Sequence, residues 1–239
     1  INQARISPDG KQVIFTRSRV EKKTEKKYSN LWLVSAEGVA RQDTWGDHND
    51  STPHWSPDGK KIAFLSNRLN KEKPFRLFII PSDGGEAYPI SDIDGEIGSF
   101  SWSPDGKKLL CKVRKTDADV LERELDEQKK KLGTVYRKYE RVFYKLDGYG
   151  YLPHERWHLW TVDAKTGKAV QITDSSKFDE NDPAWSPDGK WIAYASNHSD
   201  DPDFTPDRNE IFLQAVSGGA IKTLPAPYGD KYLLSFSPD

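Results

Sequence analysis

The 239-residue chain has one cysteine and no methionine, so no disulfide can form within it and its thiol usage does not point to an oxidising compartment. Cys111 lies in the apolar run KLLCKV, where a small buried packing residue is expected rather than a reactive thiol. No stretch approaches the roughly 20 apolar residues of a membrane-spanning helix, and no charged-then-apolar signal segment is visible at the start. An excess of either charge is missing too, with 36 Lys+Arg against 37 Asp+Glu. No net field therefore draws nucleic acid or an anionic membrane, and neither is expected as a partner. Catalytic phrases are also scarce. There is no GxSxG elbow to expose a serine nucleophile and no glycine-rich loop ending in Lys-Ser/Thr to hold phosphate. Nothing pairs two carboxylates for acid–base work.

What the sequence does have is aromatic residues, eight Trp, ten Tyr and ten Phe, which pack well on pleated surfaces, and a phrase that recurs five times. RISPDGK, HWSPDGKKIAF, SWSPDGKKLL, AWSPDGKWIAY and SFSPD place their serines at Ser7, Ser56, Ser103, Ser186 and Ser237, which are 49, 47, 83 and 51 residues apart. One unit of about fifty residues recurs, and its third copy carries an insertion of roughly 35. In each phrase Pro presets φ for a type I turn, Asp tolerates the next corner and Gly supplies the left-handed position. A large apolar anchor precedes each turn, namely Ile6, Trp55, Trp102, Trp185 or Phe236, and an apolar or alternating run follows it. Each unit then offers a third strand (NLWLVS, FRLFIIP, HLWTVD, EIFLQAV) and a glycine turn at Glu37-Gly38, Gly84-Gly85, Thr166-Gly167 or Gly218-Gly219. A fourth strand follows, such as EAYPIS or KAVQITD.

Four antiparallel strands per fifty residues predict an all-β fold. The expectation is a single, partial β-propeller domain over 1–239, with about four four-stranded blades, one extra strand near Leu233 to Phe236 and a short helical insertion in the third blade over 115–156. The chain opens at Ile1 and stops inside a phrase found whole elsewhere, so it is expected to be a fragment. An open arc of blades exposes strand edges, so either a compact four-blade closure or edge-to-edge pairing with a second copy is expected.

In such a meander the SPDG and glycine turns share one end, and the insertion shares the other with TWGDHNDS, DIDGEIG and DSSKFDEND. These loops hold Asp47, Asp50, Asp92, Asp94, Glu96, Asp174, Asp179, Glu180 and Asp182, which predicts an acidic mouth. DIDGE shows only the opening of a calcium loop, without its twelve-residue spacing. Within the insertion, DADVLERELDEQKKKLG has Asp117 or Asp119 as a cap, acids early, lysines late and Gly133 beyond the end, which predicts a short helix.

His154-Glu155-Arg156-Trp157-His158 matches HExxH, whose zinc chemistry requires a helix to bring both histidines onto one face. Pro153 precedes it and the strand HLWTVD continues it, so neither metal nor cofactor is expected. His48, His54 and His198 are expected to be hydrogen-bonding residues. No catalytic, cofactor-binding or metal residue is assigned.

The run VFYKLDGYGYLPHERWHLWTVDAKTGKAVQITD, Val142 to Asp174, together with the WSPDGK repeat, resembles the N-terminal propeller of the prolyl oligopeptidase family of serine peptidases. The likeness is greatest to its acylaminoacyl-peptidase and dipeptidyl-aminopeptidase-like branch. This resemblance implies a cytoplasmic parent with a seven-bladed propeller and a C-terminal α/β-hydrolase domain, absent from this chain, that holds a Ser, Asp, His triad. It also implies that the propeller restricts access so that only short peptides are cleaved; no triad position carries over. Because TolB-like propellers share the repeat phrase, an interaction propeller with no enzymatic partner domain is the alternative.

Overall fold

The computed structural model describes residues 1–71, 74–134 and 136–237. The final corner residues Pro238 and Asp239 of the fifth SPDG phrase lie outside the described residues.

Four antiparallel meanders succeed one another along the chain. The first sheet runs in the order β1 (Asn2–Ile6), β2 (Gln12–Val20), β3 (Lys27–Ser35) and β4 (Ala40–Gln42). The second repeats that order with β5 (Asp50–Trp55), β6 (Lys61–Ser66), β7 (Arg76–Pro81) and β8 (Tyr88–Pro89). The third begins with β9 (Gly95–Trp102) and β10 (Lys108–Lys115). Helices α1 (Ala118–Leu125) and α2 (Glu127–Leu132) and a small hairpin, β11 (Lys145–Leu146) and β12 (Gly150–Tyr151), intervene before β13 (Trp157–Asp163) and β14 (Ala169–Gln171) complete the sheet. The fourth is β15 (Glu180–Trp185), β16 (Trp191–Ser196), β17 (Glu210–Ala215) and β18 (Lys222–Leu224). The fold is all-β, as the four-strand period requires, and the two helices lie in the insertion. Two compact units divide the chain: Ile1–Ile93 with Ser99–Cys111 and Thr161–Val170, and Asp94–Gly98 with Lys112–Trp160 and Gln171–Asp239.

Each SPDG phrase forms the same corner, and its serine does more than the turn requires. Ser56 Oγ donates to Asp58 Oδ1 at 2.6 Å and accepts from Lys61 N at 2.9 Å, while Asp58 Oδ1 accepts from Lys60 N at 3.1 Å. The same three bonds recur at Ser7, Ser103 and Ser186, and all four serines are buried. Gly59 takes φ +68°, the left-handed value that a turn residue without Cβ adopts freely. A further backbone bond ties this corner to the glycine turn of its own sheet, from Ala36 N to Lys11 O, Ser82 N to Lys60 O, Ala164 N to Lys107 O and Val216 N to Lys190 O. The two kinds of turn therefore share one end of every sheet, and the β10–β13 insertion leaves from the opposite end.

Burial follows the middle strands. In the first unit Ile14, Leu31, Leu33, Ile62, Phe64, Phe78 and Ile80 form one apolar cluster, with Trp55 packed against it. Register places Ile62 opposite Ile80 and Phe64 opposite Phe78, whose rings stack at 5.8 Å. Trp55 Nε1 donates to Arg5 O at 3.1 Å and Trp102 Nε1 to His54 O at 3.0 Å, so the apolar anchor of one repeat is fastened to the corner strand of the repeat before it. The proline of one corner also meets the glycine of the next: a Cβ on Gly59 would lie 3.6 Å from Pro8, and one on Gly106 would lie 3.5 Å from Pro57. In the second unit Tyr194 opposes Phe212 and stacks on it at 5.6 Å.

The corner strands carry a recurrent irregularity absent from the sequence reading. Register shifts between Asn2 and Arg5, Ser51 and His54, and Asn181 and Ala184 coincide with positive φ at Gln3 (55°), Thr52 (52°) and Asp182 (47°). Each lies three residues before its anchor, Ile6, Trp55 or Trp185. These are β-bulges, and at Thr52 the left-handed backbone is imposed on a β-branched residue, which is a strained arrangement.

The extra strand expected near Leu233 to Phe236 does not form: among the described residues, 225–237 contain no strand. Leu233 has φ 55° and is exposed. A strand is defined by its ladder partner, and the apolar alternation of YLLSF has none among the described residues.

Replacing Thr52 by Asn, which tolerates the left-handed region, is expected to raise the urea midpoint at unchanged m-value by about 1 kcal/mol of stability. His54, pressed on Phe100 at a ring distance of 5.0 Å, is pushed down to about 4 by burial and then by Arg5. Its folded pKa lies below the unfolded value of 6.5, so its contribution is complete above pH 6.5 and is lost as pH falls toward 4. Denaturation midpoints of wild type should decline over that interval, and His54→Leu should flatten the decline.

Candidate functional site

After the first and third sheets, at the end opposite the corners, loop residues are knitted together rather than left open. Thr44 Oγ1 accepts from Leu31 N at 2.8 Å and donates to Asp50 Oδ2 at 2.5 Å. Asp50 is fully buried, and Arg68 Nη2 reaches both of its oxygens at 3.0 and 3.1 Å. Burial works to raise the Asp50 carboxyl, but His48, Arg68, Ser66 and Thr44 around it outweigh that and hold it below the usual range. The Arg68 guanidinium meanwhile lies over the Phe64 and Phe78 rings at 5.1 and 4.9 Å. The second unit contains the same device with another base: Thr173 Oγ1 accepts from Leu159 N at 2.9 Å and donates to Glu180 Oε2 at 2.8 Å, and that oxygen lies 2.8 Å from His158 Nδ1. Where the second repeat has Ser91 at the threonine position, its buried hydroxyl has no hydrogen-bond partner among the described residues. The third repeat has Ile97 where Asp50 and Glu180 stand.

The acidic mouth expected from these loops is thereby reduced. Asp50 and Glu180 are interior clasps, Asp47 pairs with Arg19, Glu96 pairs with Arg114 at 2.6 Å, and Asp179 accepts from Trp157 N at 2.8 Å and Arg156 Nη1 at 3.0 Å. The sequence gives the position of each acid but not its neutralising partner, which arrives from another strand. Cations cluster on the second unit's part of β10. Lys112 and Arg114 lie 4.9 and 4.5 Å from the Trp157 ring, and Lys112 Nζ donates to Asn181 Oδ1 at 2.7 Å. Burial lowers the Lys112 pKa against the pull of Asp182 and Asp179. Gly98 makes room for that tryptophan, since a Cβ there would come within 3.0 Å of its ring.

The HExxH letters do not lie on a helix in this fold. Residues 154–156 are not helical, His158 points into the Glu180 clasp and His154 stacks on Tyr139 at 5.9 Å. Among the described residues no group of three or more His, Cys, Asp or Glu could hold a metal ion. Cys111 is fully buried, and burial pushes its thiol up to about 12, which makes it a packing residue. His198 departs from its expected hydrogen-bonding role. Its ring is sandwiched between Phe178 and Phe212 at 4.2 and 4.1 Å, and its Nε2 is buried without a partner among the described residues.

The insertion contains a cavity of about 840 Å³. Its base is closed by Asp117, whose carboxylate accepts from His154 N and Glu155 N, both at 2.9 Å. Asp117 stands at the start of α1 but makes no side-chain cap bond there, because its oxygens are directed to the far side of the insertion. The stretch read as one helix is two, broken at Asp126, whose side chain accepts from Gln128 N and Lys129 N and so caps α2 afresh. Neither helix has a buried residue. Aromatic rings line one wall: Tyr139 stacks on Tyr151 at 5.7 Å and 14° and on His154 at 19°, and Arg137 lies 4.5 Å from the Tyr151 ring.

No family model matches the chain. It is 31% identical over 206 residues to the uncharacterized peptidase YuxL of Bacillus subtilis, covering 85% of this chain and 30% of that protein. It is 27% identical over 257 residues to dipeptidyl-peptidase 5 of Porphyromonas endodontalis, covering 98% of this chain and 35% of that protein. The chain thus spans about a third of the length of the curated relatives it matches. Among solved structures it superposes on an acylaminoacyl peptidase of Pyrococcus horikoshii with a TM-score of 0.68 at 21% identity, over 90% of this chain and 31% of that one. It superposes on TolB of Acinetobacter baumannii with a TM-score of 0.59 at 17% identity, over 97% of this chain and 44% of that one. These likenesses identify the meanders as β-propeller blades. No helix among the described residues is long and apolar enough to cross a membrane.

Removing one side of a buried clasp should cost more than removing the hydroxyl that bridges it. Asp50→Ala strands the Arg68 charge and is expected to cost about 3–5 kcal/mol, whereas Thr173→Val leaves the buried Leu159 amide donor without its acceptor and should cost about 1–3 kcal/mol; chemical denaturation compares them. His158→Ala should lower the melting temperature and leave the metal content by elemental analysis unchanged.

Proposed function

We propose, from the premise that this chain is a β-propeller segment of the prolyl oligopeptidase family, that it is the non-catalytic, substrate-gating part of a cytoplasmic serine peptidase acting on short peptides. The hydrolysing machinery then resides in an α/β-hydrolase domain outside this chain. One observation carries the reading: dipeptidyl-peptidase 5 aligns with 98% of this chain, yet the aligned stretch is only 35% of that peptidase. The chain's own chemistry agrees with a non-catalytic role. Its buried acids are committed to structural clasps and its single thiol is held protonated. Its serines of the SPDG phrase are buried corner residues whose hydroxyls are already spent on an aspartate and a backbone amide. A propeller in this position narrows the route to a catalytic centre, so that extended peptides pass and folded proteins do not.

The likeness to TolB favours a second reading, a propeller that binds a protein partner and serves no enzyme. The two readings diverge in the full-length parent. In the first, the parent hydrolyses dipeptidyl or acyl-aminoacyl chromogenic substrates and is labelled by a serine-directed fluorophosphonate, while the 239-residue chain does neither. Labelling of the chain itself, or a parent with no hydrolysis and no labelled serine, would defeat the gating reading.

A further inference from the structure

We propose that the cleft inside the insertion binds a short peptide with free termini and an aromatic side chain. Its volume of about 840 Å³ falls within the roughly 300–1,000 Å³ of small-molecule sites, and its lining comes wholly from the second unit. Arg123 pairs with Asp119 at 3.0 Å, Lys129 pairs with Glu122, and Lys138 pairs with Glu140 at 2.5 Å. Asp117 is occupied by the two amides at the cleft base. Asp117 has no ion pair either but is committed to those amides, so Arg137 and Glu155 are the lining charges whose side chains have neither an ion pair nor a hydrogen bond among the described residues.

Arg137 and Glu155, one cation and one anion with no side-chain partner of their own, stand beside a wall of rings and suit a zwitterion that carries a ring. The guanidinium of Arg137 presents a planar fork of donors suited to a carboxylate, and its place against Tyr151 holds it at the aromatic wall. Glu155 suits an ammonium group. Tyr139, packed against Tyr144, Tyr151 and His154, is the centre of an aromatic wall against which a further ring packs. Its hydroxyl is buried without a hydrogen-bond partner among the described residues and so can bond a polar group of a ligand. A nucleotide would satisfy the rings and Arg137 but would set phosphate against Glu155, and a free aliphatic amino acid would leave the wall uncovered. The choice of a peptide rests on the peptidase reading, whereas the requirement for both charges and a ring does not.

Isothermal titration of the full 239-residue chain with Gly-Ala-Phe tests this, with its C-terminal amide, its N-acetyl form, Gly-Ala-Ala and AMP as comparison ligands. Saturable binding of Gly-Ala-Phe is expected, weakened about tenfold by amidation, by acetylation or by loss of the ring. Arg137→Ala should abolish the difference between acid and amide, Glu155→Gln the difference between free and acetylated amine, and Tyr139→Ala the preference for Phe. Thermal melts confirm that each variant is folded. Absence of saturation at millimolar peptide, unchanged preferences in all three variants, or tighter binding of AMP would overturn the proposal. An inactive parent whose chain still binds in the expected pattern would sink the peptidase reading and keep the cleft, and an active parent whose chain does not bind would do the reverse.

Discussion

A serine hydroxyl that donates to an aspartate two residues on and accepts an amide five residues on holds each of the four corners. The turn could form from Pro, Asp and Gly alone, but it would leave the amide after it without a partner as the chain re-enters a buried strand. With the serine inside, that amide is satisfied and the two strands leave the corner in fixed register. The anchor one residue before the serine is then aimed at the neighbouring repeat, where Trp55 and Trp102 each find a carbonyl. Corner, register and repeat-to-repeat fastening are in this sense one constraint. The bulges at Gln3, Thr52 and Asp182 show its cost, since the backbone is forced into the left-handed region three residues upstream of the anchor.

The opposite ends of the sheets solve a different problem. The strand that closes one repeat must hand the chain to the next, and in doing so it leaves amides and a carboxylate away from water. Thr44 with Asp50, and Thr173 with Glu180, bridge that step with a hydroxyl between an amide and an acid. The acid's charge is then met by Arg68 in one case and faced by His158 in the other. Where the pattern lapses, at Ser91 and Ile97, a hydroxyl is left buried without a partner among the described residues. Of the acids in these loops, Asp50 and Glu180 are interior wiring and Asp47, Glu96 and Asp179 are paired with nearby cations, while Asp92, Asp94 and Asp174 stay exposed.

The insertion stands apart from this economy. It is pinned at its base by Asp117, its helices bury no residue, and its tyrosines remain partly exposed around a cavity. Long ordered excursions from a rigid scaffold are common places for recognition, because the scaffold holds their ends while their own side chains stay accessible. Such an excursion leaves side chains accessible, whereas those of the repeated strands are committed to packing.

Four meanders, their turn chemistry and the place of the insertion were legible in the sequence, because proline, glycine and alternating apolar residues act on their nearest neighbours and recur at a fixed period. That His154 and His158 would not share a helix was legible too, from Pro153 and the strand that follows. The burial of Asp50 and Glu180, the partners that neutralise them, the stacking of His198, the absence of a ladder for Leu233 to Phe236 and the two charges left over in the cleft were not. Each of these depends on a group brought from tens of residues away, and spacing along one chain does not specify which strand will arrive beside it. Local stereochemistry determined the repeat; only the tertiary structure decided which charges are cancelled and which remain to meet a ligand, since that depends on distance in space rather than along the chain.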